Sequence, residues 1–476
     1  MKETRKPVNT QYAKLLMPVM ICWLYFSAFG VNAIEYYQTN GAVIQVSSNG
    51  RYLQWSNGVP IYIHADTGWS LTRDYSPEEV VEYLDLTKQQ KFNTVQMSAV
   101  FHAVSPNQDI IGPAFYDGDL TRPKQDYWNQ VDRVVNEAAN RGLIVMINPI
   151  WKNQHQKTIQ NNGVEKCRAF GKWFAERYKD NPYVIYFVGG DAVPEPVSDE
   201  IAAMAEGIQE VYNGKAIIAV HSRQTTSSLE VYPQQPAWLT LNWTYAYSPL
   251  RADWNLWPYE HNHRNYQQFY LRNYQQLQPV PIQFGEGYYD FGEGRELGST
   301  GVSDRFGGRY AIRRQAWYAG FITGSTGHAY GAEAIWHHNR GGETWQMALN
   351  YDSRKDMTFK KILVDDIPWW TLVPDVNNKF LVCSSGIRGT GDFAVAAVSS
   401  DRKLAVLYTP VYNELQLNLD ELAEGQITAE WYDPCNGEVK PVEGFPETGR
   451  GKFTLFSPDK NSSGESDYVL VIKIEG

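Results

Sequence analysis

The stretch Val184-Ile185-Tyr186-Phe187-Val188-Gly189-Gly190-Asp191 is a run of five apolar residues closed by two glycines and an acid. It has no polar face, so it fits a strand covered on both sides, as in a parallel sheet packed between helices. Glycines at its end let the backbone turn tightly and present Asp191 at the rim. A second stretch, Ile282-Gln283-Phe284-Gly285-Glu286-Gly287, repeats the design and presents Glu286.

Six further apolar runs stand around these two: Ile61–His64, Phe92–Val100, Leu143–Trp151, Ala216–Val220, Leu239–Trp243 and, less cleanly, His328–Trp336. Amphipathic stretches separate them. Ser76-Pro77-Glu78-Glu79 offers an N-cap, a proline at the first helical position and a capping-box glutamate. Val80, Tyr83, Leu84 and Thr87 then recur on one face. Trp128, Val131, Val134, Val135 and Ala138 form a second stripe, and Phe170, Trp173, Phe174 and Tyr178 a third. Eight strand-like runs with helices between them predict a (β/α)₈ barrel. An open doubly wound sheet is the alternative, but no glycine-rich phosphate loop follows the first run. Past about residue 377 the texture changes to short alternating runs separated by turn residues: Phe393–Ser399, Leu404–Thr409, Glu414–Leu419, Ile427–Tyr432, Lys452–Phe456 and Asp467–Ile474. These predict a small antiparallel β-sandwich. The expected organisation is a signal peptide over 1–33, a barrel over 34–376 and a sandwich over 377–476, with Trp369-Trp370 packing the two together.

A chain of 476 residues accommodates a barrel of about 250–350 residues and one smaller domain. Its net charge is −10 and it has no basic stripe, which argues against nucleic acid as a partner. Aromatic residues make up 14% of the chain against 20% charged, a bias that suits sugar stacking and a large core equally. At the N-terminus, Lys2, Arg5, Lys6 and Lys14 precede an apolar run from Leu15 to Phe29 and the small-residue ending Val31-Asn32-Ala33. That order predicts export to the periplasm or medium with cleavage after Ala33. The run is interrupted by Pro18 and is short for a spanning anchor, so no membrane insertion is expected after cleavage. Cys22 lacks the preceding small residue of a lipidated cysteine. Of the remaining cysteines, Cys167 reads as a buried filler beside Phe170 and Phe174. Cys383 and Cys435 are available for one bridge.

In a barrel, catalytic side chains project from the C-terminal ends of the strands. Taken in order, those ends carry His64 and Asp66, Gln96, Asn148 and Trp151, Asp191, His221, Trp243 and Tyr245, Glu286, and Glu333 with Trp336. No His-x-x-x-His, Cys-x-x-Cys or Gly-x-Ser-x-Gly pattern is present, so neither a metal, another cofactor nor a serine nucleophile is expected. His337-His338 and His261-Asn262-His263 read as loop histidines. A carboxyl group at an apolar barrel mouth, close to a second carboxylate, is held protonated to higher pH. One protonated and one ionised acid is the pair that glycosidic cleavage needs. The structural alternatives are a helix cap for Asp191 and an ion pair with a barrel arginine for Glu286. Asp66 suits sugar hydroxyls or a turn cap equally. Trp69, Trp151, Trp243 and Trp336 are candidate stacking platforms or interior packing. With Gln96, His221, Tyr245 and Tyr288, these residues form the expected substrate contacts.

Several segments resemble the apiosidase-like glycoside hydrolases: Asn49-Gly50-Arg51-Tyr52-Leu53, Ala65-Asp66-Thr67-Gly68-Trp69, Phe92-Asn93-Thr94-Val95-Gln96, Val188-Gly189-Gly190-Asp191, Gly285-Glu286-Gly287-Tyr288-Tyr289 and Trp369-Trp370-Thr371-Leu372-Val373-Pro374-Asp375. The tail around Ala429-Glu430-Trp431-Tyr432-Asp433-Pro434 resembles the small β-domain, named for collagen binding, that follows in that family. The resemblance implies a (β/α)₈ enzyme releasing terminal apiose or a similar pentose from plant cell-wall pectic oligosaccharides. It places the catalytic pair on Asp191 as acid/base and Glu286 as nucleophile, and it implies retention. Related retaining barrels carry Asn-Glu where this chain has Gly190-Asp191, and the shorter acid leaves the stereochemical outcome open. An endo-glycanase on the same scaffold and a non-catalytic carbohydrate- or matrix-binding protein are the competing readings.

Overall fold

The computed structural model describes residues 41–101, 114–223, 226–245, 273–276, 278–290, 308–340, 342–384 and 393–475. The expected signal segment and His261-Asn262-His263 lie outside them. Eight apolar runs form parallel strands: β1 (Ile63–Thr67), β2 (Thr94–Ser98), β3 (Ile144–Asn148), β4 (Val184–Gly189), β5 (Ile218–His221), β6 (Asn242–Tyr245), β7 (Ile282–Glu286) and β8 (Gly327–Tyr330). Their spatial order is β5-β4-β3-β2-β1-β8-β7-β6, and the two-residue strand Thr226–Ser227 pairs antiparallel with β6. At the seam between β5 and β6 the Thr240 and Leu241 amides reach the Ile218 carbonyl (both 3.0 Å), and one hydroxyl adds a further bridge. Ser228 Oγ accepts from the amides of Val220 (3.0 Å) and Trp243 (2.9 Å) and donates to the Val220 carbonyl (2.8 Å). The result is a nearly closed barrel, as the alternation of runs and stripes predicts.

The helices cover its outside. In α1 (Pro77–Gln89) the Ser76–Glu79 capping box forms as expected, and Val80, Tyr83, Leu84 and Thr87 are buried. The apolar stripes of α2 (Gln125–Asn140), α3 (Lys152–Tyr178) and α4 (Ser198–Val211) pack against the outward residues of β2 to β5. The inward residues, among them Ile63, Ala65, Met146, Ile185, Phe187, Ala219 and Trp243, fill the barrel. A three-stranded meander (Ile44–Val46, Leu53–Trp55, Pro60–Ile61) adds Ile44, Leu53 and Trp55 to that core. It meets the starts of the strands: Trp55 packs on Tyr183, and the Leu53 amide donates to Thr326. The opposite end is left for chemistry.

Two helices, α5 (Arg309–Trp317) and α6 (Asp352–Asp366), stand between the barrel and an antiparallel sandwich. Its larger sheet runs Leu372–Pro374, Val395–Ser399, Leu404–Thr409, Tyr468–Glu475, Gln426–Tyr432, Val439–Pro441. Its smaller one runs Leu381–Ser384, Glu414–Asn418, Lys452–Phe456. Because side chains alternate along a strand, Ala405, Leu407, Leu470 and Ile472 face the smaller sheet. Val406, Tyr408, Val469 and Val471 face Trp317, Phe321, Leu363 and Trp369 on the barrel side. Cys383 is exposed, Cys435 is buried beside Ser463, and neither is in a disulfide. No described helix is long and apolar enough to cross a membrane.

Candidate active site

The end of β4 turns through three successive residues with positive φ: Gly189 (89°), Gly190 (138°) and Asp191 (51°). This path brings two consecutive amides onto His221 at the end of β5. Gly190 N–H donates to its carbonyl (2.9 Å), and Asp191 N–H donates to its ring Nδ1 (3.0 Å). No side chain fits at Gly190, where a Cβ would stand 2.7 Å from the Trp151 ring. Asn148 secures the same turn by donating to the Gly189 carbonyl (3.0 Å). Local backbone chemistry thus explains why the apolar run ends Gly-Gly-Asp.

Glu286 projects from the end of β7 and is nearly buried. Gly285, just before it, leaves room for Trp243, whose ring a Cβ would meet at 2.1 Å. His221 Nε2 bonds Glu286 Oε2 directly. Since Nδ1 accepts from Asp191 N–H, the ring hydrogen sits on Nε2 and is donated to Glu286. The Tyr289 hydroxyl accepts from Trp69 Nε1 (2.7 Å) and donates to Glu286 Oε1 (3.0 Å). His221 is therefore the shared member of the site, with its ring on one carboxylate and on the backbone of the other.

Asp191 is open to solvent at the mouth, yet the walls around it displace much of its hydration. That desolvation, reinforced by the negative charge of Glu286, pushes its carboxyl up to about 6, against the opposing influence of His221 and Tyr245. Tyr245 Oη lies 3.5 Å from Asp191 Oδ1, and its ring packs on His221 at 5.3 Å.

Of the expected contacts, His221, Tyr245, Trp69 and Trp151 surround the acids; Trp151 lies 4.7 Å from the His221 ring. Trp336 remains partly exposed beside Tyr289 (5.5 Å) and Phe101 (6.3 Å). Four expectations are corrected. Asp66 points outward from β1 and is fully buried in an ion pair with Arg354 (2.8 Å), with Tyr83 donating to it (2.6 Å), so it ties the barrel to α6 and α1. Gln96 points inward but lies wholly buried, spanning Thr67 (2.7 Å) and the Gly285 carbonyl (2.9 Å). Trp243 is 0% exposed and is packing beneath His221, not a platform. Tyr288 belongs to the apolar layer between strands and helices, and its neighbour Tyr289 takes the place expected of it. Tyr289 was within reach of the sequence, because consecutive residues leaving a strand point to opposite sides.

Comparison with known proteins decides the kinship. The model "Apiosidase-like, catalytic domain" matches residues 47–371, more than half of the chain. The chain belongs to the apiosidase-like glycoside hydrolases. A second model, "Putative collagen-binding domain of a collagenase", matches residues 385–473. Among solved structures, the apiosidase-like chain is similar to a glycoside hydrolase family 5 protein from Bacteroides vulgatus ATCC 8482. Identity is 25%, 91% of this chain and 94% of that one are covered, and the TM-score is 0.76. Another structure, described as a glycoside hydrolase, matches at 23% identity over 91% of this chain and 97% of that one, with a TM-score of 0.74. No curated protein matches the sequence. This apiosidase-like chain is a glycoside hydrolase, and carbohydrate is its substrate.

Proposed function

We propose that Asp191 is the acid/base and Glu286 the nucleophile of an exported, exo-acting, retaining glycosidase that releases a terminal apiose-like sugar from plant pectic oligosaccharides. The observation that carries the reading is the two-sided use of His221, whose ring bonds the Glu286 carboxylate at the end of β7 on one side and the Asp191 main-chain amide past β4 on the other, at the open end of the barrel. Glu286 faces a ring N–H and a phenol with lone pairs, so its oxygens suit attack on an anomeric carbon. Asp191, shifted to about 6, keeps a proton for the leaving oxygen in mildly acidic medium. In the first step Glu286 forms the bond to the anomeric carbon while Asp191 protonates the departing oxygen. In the second, Asp191 takes a proton from water, which displaces Glu286. Family membership supports the sugar and the exo mode, and the N-terminal charge-then-apolar pattern supports export.

Asp191→Ala and Glu286→Ala should each fold normally and lose at least ~10³-fold in rate. Full activity in either would remove the assignment. Incubation with pectin-derived oligosaccharides should liberate a single monosaccharide, initially in the substrate's own anomeric configuration by NMR. Internal fragments would exclude exo action, and the opposite anomer would exclude retention. The exported protein should begin at Ile34, which N-terminal sequencing reads directly.

A further inference from the structure

We infer that the C-terminal sandwich positions Glu286, through Arg313 and Gln315 on opposite faces of α5. The inference rests on the role of Glu286 proposed above. Arg313 is fully buried and forks onto Asp467 of the sandwich, Nε to Oδ2 at 2.7 Å and Nη2 to Oδ1 at 2.6 Å. Its third nitrogen reaches Asp356 on α6 at 2.9 Å. Asp467 also accepts from Tyr408 (3.0 Å) and Asn461 (2.7 Å), and Asp356 accepts twice from Arg309 (2.8 and 2.7 Å). A buried ion cluster satisfied this fully tolerates little displacement, since any shift would strand a desolvated charge. It locks α5 and α6 to the sandwich.

Residues two apart on a helix point in opposing directions, so Gln315 faces the barrel. Its amide grips the main chain of Tyr288 at both ends, accepting from the Tyr288 N–H (2.9 Å) and donating to the Tyr288 carbonyl (2.9 Å). It also presses on the turn just past Glu286: a Cβ at Gly287 would lie 2.4 Å from Gln315 Oε1. Two residues further on, the Asp290 carboxylate is bonded by Ser353, one turn before Asp356 on α6. The segment that carries Tyr289 to Glu286 is therefore held by two helices that share one ion cluster with the sandwich. Gln315 and Arg313 are positioning residues, acting through Tyr288 and Tyr289.

The test uses the full-length chain with Gln315→Met, which leaves the ion cluster intact, and Arg313→Met/Asp467→Leu, which removes both charges together. Gln315→Met should melt within a few degrees of the parent yet lose ~10- to 100-fold in kcat on pectic oligosaccharides, with KM changed less than about twofold. The double variant should move kcat in the same direction, and an unchanged kcat overturns the inference; if it does not fold, Asp467→Asn, which removes the charge and keeps the side chain's shape, is read in its place. A second readout needs no turnover. The His221 Nε2–H proton, assigned by its absence in His221→Asn, should shift in the NMR spectrum of Gln315→Met as its bond to Glu286 loosens. An unmoved resonance, or an effect on KM alone, overturns the inference. A parent enzyme inactive on every pectic oligosaccharide would remove the proposed substrate, while the His221 resonance, read in the Arg313 and Asp467 variants as well as in Gln315→Met, would still decide whether the sandwich positions Glu286.

Discussion

Asp191 occupies a left-handed backbone conformation that most residues avoid and that Asp tolerates. The strain persists because Gly190 N–H and Asp191 N–H are both fixed on His221, which makes the turn and the site one structure. Its carboxyl, pushed to about 6 by desolvation and Glu286, has a direct kinetic consequence. If Asp191 donates the proton, kcat/KM must fall as pH rises through about 6, because only the protonated enzyme carries the acid. Tyr245 opposes that shift by bonding the ionised form, so Tyr245→Phe should move the alkaline limb to higher pH. A pH–rate profile of the two proteins checks this, and a limb that stays put or moves to lower pH would contradict the contact. Gly190→Ala is expected to cost more than about 1 kcal/mol in stability, since Ala strains the left-handed backbone and its methyl meets Trp151.

Strand order and the two acids were legible because buried parallel strands write themselves as apolar runs and because glycine marks where a turn must be tight. Facing was harder to read. In β1 the inward set is Ile63, Ala65 and Thr67, and a reading one residue out of phase puts Asp66 in the site when its carboxylate lies outside with Arg354. The central sandwich strand Leu404–Thr409 carried a sign of its second interface, an unbroken buried run where a solvent-facing strand would alternate. His64 on β1 and His328 on β8 pair in register, point outward and are fully buried, with His64 stacked 4.5 Å from Phe92. Burial first, and Lys360 second, hold both rings well below the ordinary imidazole range; Lys361, Arg354 and His328 act on His64 in the same sense. Unfolded, each titrates near 6.5, so below that pH the unfolded chain binds protons that the fold refuses. Stability is therefore unaffected by these rings at higher pH and falls as pH drops through about 6.5, by up to about 1.4 kcal/mol per pH unit for each ring. Urea unfolding between pH 7.5 and 5.5 should show this slope, and a His64→Leu/His328→Leu variant should flatten it; equal slopes would assign the acid sensitivity elsewhere.

At the scale of the whole molecule, the sandwich presents apolar faces in two directions. One closes on its own smaller sheet; the other meets Tyr62, Phe284, Trp317, Phe321 and Trp369 of the barrel side. A binding module on a tether would carry a polar face there, and its removal would leave the barrel intact. Here removal would expose that aromatic seam and take from Arg313 its two-pronged partner Asp467, leaving only Asp356. Against a stability of about 5–15 kcal/mol for a typical domain, exposure of so large an apolar seam is decisive. The full-length protein should therefore unfold in a single calorimetric transition whose van't Hoff and calorimetric enthalpies agree. A chain ended at Thr371 should be recovered only as aggregate, because the larger sheet begins at Leu372 and shields the seam. A soluble 34–371 fragment with its own cooperative melt would show instead that barrel and sandwich are energetically independent, and that the ion cluster between them is dispensable for folding.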